Sequence, residues 1–116
     1  MADLFSQAHI LERLRNASIL RHSKWPGASA ITPSYRGNEL GGKCGEAQNI
    51  IKKLERERLG IAGSRSTPDA LGEELADIII CCDLIAEDYD IDLWTEIVKK
   101  FNKTSKKVGI DVLLEY

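Results

Sequence analysis

The chain has 116 residues, enough for one domain with a single core, and its 43% hydrophobic and 29% charged residues are typical of a soluble globular protein. A net charge of −2 provides no basic field that would attract nucleic acid or a membrane surface, so we expect neither as a partner. The longest apolar run, Ile78 to Cys82, is too short to span a bilayer, and the N-terminus lacks the pattern of a signal peptide. From the length we expect a single domain over residues 1–116.

The first predicted helix covers residues 4–22, where apolar residues recur at helical spacing between charged ones. Residues 23–38 follow with two prolines and two glycines and no period, which predicts a long loop. This loop carries Trp25, Tyr35 and Arg36, which are able to stack on a base or bind phosphate, or simply to pin the loop to the core. Both interpretations stay open at this point.

The second predicted helix runs over about residues 39–59 and ends at Gly60. Its polar residues Glu39, Glu46, Asn49 and Lys53 lie within a narrow arc at the edge of the apolar stripe. From this position Glu46 is expected to face the helix that follows. The connection after Gly60 is rich in glycine and serine, which indicates a short surface linker.

A third helix is expected to begin with Thr67 as its N-cap and Pro68 as its first residue, and to lose its pattern near Asp88. Asp92 is the next expected N-cap, and the fourth helix that it opens extends to about Lys107. No segment alternates in the manner of a strand. The sequence therefore predicts an all-α four-helix bundle.

Two acids lie on the apolar face of the third predicted helix. At 100° per residue, Glu74 and Asp77 fall within the same arc as Ile78 and Cys81. Burying an unpaired carboxylate is unfavourable, so these acids are expected either to meet cations from other helices or to hold a metal ion. Glu73, by contrast, fits the favourable placement of an acid near a helix N-terminus.

The acids of the second and third helices form one candidate metal site. Glu46 with Asn49, and Glu74 with Asp77, are each spaced i, i+3, so both members of a pair project from one face. Three carboxylates and an amide oxygen suit Mg²⁺ or Mn²⁺ over zinc. A di-iron bundle would require Glu-x-x-His pairs, and neither histidine follows a glutamate at that spacing.

Hard divalent ions complete their coordination with water and substrate phosphates, so the candidate metal site leads to a nucleotide hypothesis. Lysines for phosphate contacts are available, although most surface lysines are merely solvated. They are Lys52, Lys53, Lys100, Lys103, Lys106 and Lys107. The three cysteines, two of them adjacent, suit no disulfide framework, and we interpret them as small core residues in a reducing cytoplasm.

Four segments together resemble the MazG-like family of all-α nucleoside triphosphate pyrophosphohydrolases, in particular its short single-domain members from bacteria, phages and mobile elements. The segments are YRGNEL at residues 35–40, GEAQNIIKKLER at 45–56, EELADI at 73–78 and KFNKTS at 100–105. The resemblance covers roughly residues 25–110. It implies house-cleaning of nucleotides by Mg²⁺-dependent cleavage between the α- and β-phosphates, which releases monophosphate and pyrophosphate. It also implies a homodimer or tetramer with sites near the subunit interface.

Carried over position by position, the resemblance places Glu46, Glu74 and Asp77 on metal-binding acids of the family. The chain departs from the family at Lys43, where relatives often have glutamate, and at Asn49, at or near a further acid. A lysine one turn before Glu46 would repel a cation or neutralise a carboxylate. Fewer bound ions are one consequence, and Glu39 or Glu73 are possible substitutes.

These observations predict an enzyme that hydrolyses nucleoside triphosphates, with deoxynucleotides as the expected substrates. Glu46, Glu74 and Asp77, with Asn49, are the predicted ligands of Mg²⁺ or Mn²⁺, and Glu73 is a candidate proton acceptor. The predicted substrate-binding residues are Trp25, Asn49, Lys53, Lys100, Asn102 and Lys106. The alternative is a weakened or inactive helical module that binds nucleotide or mediates oligomeric interactions, in which Lys43 and Asn49 record lost activity.

Overall fold

The computed structural model describes residues 10–116, and those residues form an all-α protein. They contain four α-helices and no strand, which confirms the all-α prediction. The helices are α1 (Ile10–Lys24), α2 (Pro33–Leu59), α3 (Pro68–Asp88) and α4 (Leu93–Lys107), with a short 3-10 helix at Ala28–Ala30. The first predicted helix thus extends two residues further than expected, and its part before Ile10 lies outside the described residues.

The start of α2 shows that the predicted long loop was wrong in its second half. The helix begins at Pro33, and the hydroxyl of Thr32 accepts a hydrogen bond from the amide of Tyr35 at 3.2 Å, as an N-cap does. This is the Thr-Pro signal that also opens α3, but the glycine at position 37 suggested a break. One glycine weakens a helix by only about 1 kcal/mol relative to alanine, so α2 continues through it. Tyr35 and Arg36 are therefore helical residues.

The end of α2 and the starts of α3 and α4 agree with the sequence-based predictions. Gly60 ends α2 in the left-handed conformation, at φ 69°, which glycine adopts without strain. The hydroxyl of Thr67 accepts a hydrogen bond from the amide of Ala70 at 3.2 Å, and the proline after it opens α3. The carboxylate of Asp92 accepts one from the amide of Thr95, also at 3.2 Å, and so caps α4.

Side-chain hydrogen bonds fasten two irregular segments to their neighbouring helices. In the linker after α2, Arg56 Nη1 donates to the carbonyl oxygen of Ser64 at 2.8 Å. In the tail after α4, the amide of Asn102 donates to the carbonyl oxygen of Leu114 at 2.9 Å, and its oxygen accepts from the Leu114 amide at 2.7 Å. These bonds hold both segments without regular secondary structure.

The chain divides into two compact units. The first, which we call the hairpin unit, is Ser29–Ile85 and contains α2 and most of α3. The second, the terminal unit, is the described part of Met1–Ala28 together with Ala86–Tyr116. No helix within residues 10–116 combines the length and the apolar character needed to cross a membrane.

Among residues 10–116, the buried apolar residues are few and mostly small. They are Ala47 and Cys81 in the hairpin unit, and Ala28, Ala86 and Val98 in the terminal unit. Large apolar side chains stay exposed on every helix, among them Leu20 at 58%, Ile51 at 51%, Ile79 at 53% and Phe101 at 42%.

Candidate functional site

Within the hairpin unit, α2 and α3 run antiparallel and meet through polar side chains. Glu39 contacts Cys81, Lys43 contacts Asp77, and Glu46 contacts Glu74. As the position advances by four and then three residues along α2, its partner moves back by four and then three along α3. These steps are the helical repeat, so the contacts lie in one line down the two facing surfaces. We call these six residues the polar seam.

At the centre of the polar seam, one ammonium group stands between two carboxylates. Lys43 Nζ lies 3.2 Å from Asp77 Oδ2 and 3.5 Å from Glu46 Oε2. The hydrogen bond to Asp77, the charge of Asp77 and the charge of Glu46 raise the pKa of Lys43, so its ammonium is charged at neutral pH. The Lys43 side chain is 32% exposed and that of Asp77 45%, so solvent screens this ion pair.

One layer along, the carboxyl groups of Glu46 and Glu74 interact with each other. A hydrogen bond with Glu46 is the largest influence on Glu74 and raises its pKa, and burial and the charge of Glu46 act in the same direction. The Glu74 Oε2 atom is buried and has no hydrogen-bond partner among the described residues. With both groups ionised neither can donate, whereas a protonated Glu74 can donate to Glu46. The pKa of Glu74 is therefore higher than that of an ordinary glutamate.

The third layer contains a thiol and belongs to a partly buried network. Glu39 Oε1 lies 3.4 Å from Cys81 Sγ and 3.7 Å from Arg36 Nη1. Burial, followed by the contact with Glu39, raises the pKa of Cys81 to about 11, so the thiol stays protonated at neutral pH and is a poor nucleophile. Burial also raises the pKa of Cys82. All three cysteines are free, and the buried Cys81 agrees with their interpretation as core residues.

The structure thus brings together three of the predicted metal ligands, Glu46, Glu74 and Asp77, and adds Lys43 to them. Within residues 10–116, no group of three or more His, Cys, Asp or Glu side chains has an arrangement that would hold a metal ion. The ion pairs of Lys43 give a physical reason, because two of the carboxylates already face an ammonium. The carboxylate oxygens are of the type that Mg²⁺ prefers, but they are not arranged around a common ion position.

The remaining predicted residues of the hairpin unit lie beside the polar seam. Asn49 is exposed one turn beyond Glu46, and Lys53 is half-buried one turn further along α2. Glu73 is exposed next to Glu74. Their proposed roles as ligand, phosphate contact and proton acceptor stay predictions.

Four predicted substrate-binding residues belong to the terminal unit. Trp25 is 59% exposed, and the guanidinium carbon of Arg21 lies 5.9 Å from the centre of a Trp25 ring. Lys100 and Lys106 are exposed on α4. Asn102 is half-buried, and the tail backbone engages both ends of its side-chain amide. The structure thus gives Asn102 a role in fastening the tail that the sequence did not suggest.

Lys43 is the seam residue whose importance the sequence understated. Its spacing of i, i+3 to Glu46 already puts both side chains on one face of α2, which is the signal for an ion pair. What the sequence lacks is the second partner, Asp77, since the register between two helices is a tertiary property.

No protein-family model, no curated protein and no solved structure matches this chain.

Proposed function

We propose that this chain is a Mg²⁺-dependent nucleoside triphosphate pyrophosphohydrolase of the MazG-like type, with Mn²⁺ as a possible substitute. The observation that supports the proposal best is the convergence of Glu46, Glu74 and Asp77 from two facing helices. Carboxylates that lie close together repel one another and so destabilise the folded chain, and here they raise the pKa of Glu74. Shifted pKa values of this kind are common at functional sites. The resemblance of four sequence segments to that family points in the same direction.

In this proposal the carboxylates hold Mg²⁺ once the flexible Lys43 side chain moves aside. When bound, Mg²⁺ would neutralise charge on the triphosphate and lower the pKa of a bound water. Glu46, Glu74 and Asp77 supply oxygen ligands, with Asn49 one turn away as a neutral one. Glu73, which is exposed, is the residue that we assign to accept the proton of the attacking water.

The expected substrate is a nucleoside triphosphate, with deoxynucleotides preferred. Lys53, Lys100 and Lys106 are the proposed phosphate contacts because each offers an ammonium on a helix surface. Trp25 presents an exposed ring on which a base can stack, and Asn102 is the remaining proposed contact.

We further propose a homo-oligomer, dimer or tetramer, in which a four-helix bundle of the MazG-like type is completed. The exposed apolar residues of every helix support this, as do the glycines of α2: a Cβ atom added at Gly37, Gly41 or Gly45 would meet nothing within 4 Å. Replacing Gly41 by alanine in a monomer should stabilise the helix by about 1 kcal/mol. If a second copy packs closely there, the same change should weaken association. Light scattering and thermal melts of both proteins measure this, and a monomeric mass at micromolar concentration would contradict the oligomer.

Release of pyrophosphate tests the proposed activity. Each common ribo- and deoxynucleoside triphosphate is incubated with the full chain and Mg²⁺ or Mn²⁺, and monophosphate and pyrophosphate are measured. Glu74→Gln should abolish turnover because it removes one charged ligand, whereas Lys99→Gln, on the surface of α4, is the control that should leave it unchanged. Orthophosphate and diphosphate as products would reassign the bond that is cut.

The ion pairs of Lys43 favour one competing function, a non-catalytic module that binds nucleotide or mediates interactions. In that case the Lys43 ammonium permanently offsets part of the negative charge of Glu46 and Asp77, and the fold uses no divalent cation there. Absence of turnover with every nucleotide, combined with measurable nucleotide binding, would favour this module over the enzyme.

A further inference from the structure

We propose that α3 of one copy of this chain packs against α4 of a second copy, through an exposed strip of apolar and small side chains on each helix. The inference rests on the proposed homo-oligomer and assigns its contact surface. The α3 strip consists of Gly72, Leu75 and Ile79, and the α4 strip of Ile97, Phe101 and Thr104. All six residues are exposed.

The spacing within each strip is that of helices that pack side by side. Its members follow one another at steps of three and four residues on α3, and of four and three on α4. Such steps keep side chains in one line along a helix, where they can fit between those of a neighbouring helix. The large members are about as exposed on one strip as on the other, with Ile79 at 53% and Phe101 at 42%. Each strip therefore has the form of one half of a helix–helix contact.

The two helices carry opposite charge. Between residues 68 and 88, α3 has seven Asp or Glu residues and neither Lys nor Arg. The Lys43 ammonium offsets part of this charge within the polar seam, but Asp69 and Glu73 stay exposed. By contrast, α4 has five lysines and one glutamate, and all six are exposed. Complementary charge favours encounter of α3 with α4 and selects this pairing over others.

The same charges argue against pairing of like helices. Lys100 and Lys107 lie beside the α4 strip, so two copies of α4 packed together would bring four ammonium groups close to one another. Two copies of α3 would likewise bring acids together, and like charges placed side by side weaken association. Pairing of α3 with α4 avoids both problems. Under two-fold symmetry each copy supplies one of each helix, so the contact forms twice and the assembly closes.

The test measures self-association of the full chain by sedimentation velocity. Phe101→Glu and Ile79→Lys should each raise the dissociation constant at least about tenfold, because each places a charge without a partner in both contacts. An equimolar mixture of the two variants should associate at least about tenfold more tightly than either variant alone. In the mixed dimer one contact is wild type and the other pairs the new glutamate with the new lysine.

Leu20→Glu is the matched control, because Leu20 is a large apolar residue that is 58% exposed and lies on α1, outside both strips. Its dissociation constant should stay within about twofold of that of the wild type. Circular dichroism verifies that each protein is folded. If a charged variant fails to fold, Phe101→Ala or Ile79→Ala, which adds no charge, carries the comparison.

The outcomes separate this contact from the rest of the proposed function. An effect of only one of the two substitutions, or a mixture that associates no more tightly than its components, would overturn the pairing of α3 with α4 and leave the homo-oligomer in place. A monomeric wild type at micromolar concentration would overturn the pairing and the homo-oligomer together. Pyrophosphate release by the wild type, measured separately, tests the proposed activity and does not depend on which helices meet.

Discussion

Asp77 offers the sharpest test of the polar seam, through the substitution Asp77→Asn. The change nearly preserves volume and removes one charge. It weakens the contact with Lys43, although the amide oxygen of asparagine can still accept a hydrogen bond from the ammonium. It also relieves repulsion, because the charge of Asp77 is one of the influences that raise the pKa of Glu74. The two effects on stability oppose each other.

The size of the net effect follows from exposure. Asp77 and Lys43 are 45% and 32% exposed at their side chains, and ion pairs in contact with water contribute little to stability. We therefore expect the melting temperature of Asp77→Asn without metal to stay within about 5 °C of the wild type. A deeply buried pair would behave differently, since a stranded charge there would lower the melting temperature by about 15 °C or more.

The assay combines thermal melts with and without Mg²⁺ and the release of pyrophosphate. Mg²⁺ at a hundredfold excess over its Kd should stabilise the wild type by about 2.7 kcal/mol through mass action. If Asp77 binds the metal ion as proposed, Asp77→Asn should lose this stabilisation, and its turnover should fall at least about a hundredfold. A variant that melts far lower yet still turns over nucleotide would refute the assignment of Asp77 as a ligand.

Three further predictions concern stability. Because contact with Glu46 raises the pKa of Glu74 above its usual 4.5, the folded chain binds this proton more tightly than the unfolded chain does. The melting temperature of Glu74→Gln relative to that of the wild type should therefore increase between about pH 4 and pH 7. A difference that does not change with pH would contradict the interaction between the two carboxyl groups. Asn102→Ala should lower the free energy of unfolding, measured in urea, by about 1–2 kcal/mol and speed hydrogen exchange of the backbone amides in the tail. Unchanged hydrogen exchange would show that Asn102 does not fasten the tail. Gly63→Ala should lower the free energy of unfolding by about 1–2 kcal/mol, because φ is 135° at this position and the new Cβ would lie 3.0 Å from Arg56 Nη1. A melting temperature equal to that of the wild type would show that the linker rearranges freely.

Local signals explain which helix ends were predictable. Thr67 with its proline, Asp92 and Gly60 each act through neighbours within a few residues, and the structure confirms all three. The error at Thr32 arose from competition between two local signals, a Thr-Pro start and a glycine soon after it. The start prevailed because capping satisfies a backbone amide, whereas one internal glycine is only a modest penalty in a helix of 27 residues.

The arrangement of charges in the site was predictable only in part. Helical periodicity in the sequence put Glu74 with Asp77, and Lys43 with Glu46, on common faces, because spacing along one helix fixes direction around it. Which acids interact with each other and which one meets the lysine depends on how far one helix is shifted along the other. A shift by one turn would pair different residues without changing the pattern of either helix.

The sequence by itself therefore predicted that this protein has four helices, together with the helix ends at Gly60, Thr67 and Asp92 and the acidic faces of α2 and α3, since these depend on interactions between near neighbours. Only the tertiary structure decided that Lys43 joins Asp77 across the seam, that Glu74 meets Glu46, and that Asn102 fastens the tail at Leu114. Such contacts join residues 12 to 34 positions apart in the chain, as the residue numbers show, and they form only when packing fixes the register of one segment against another.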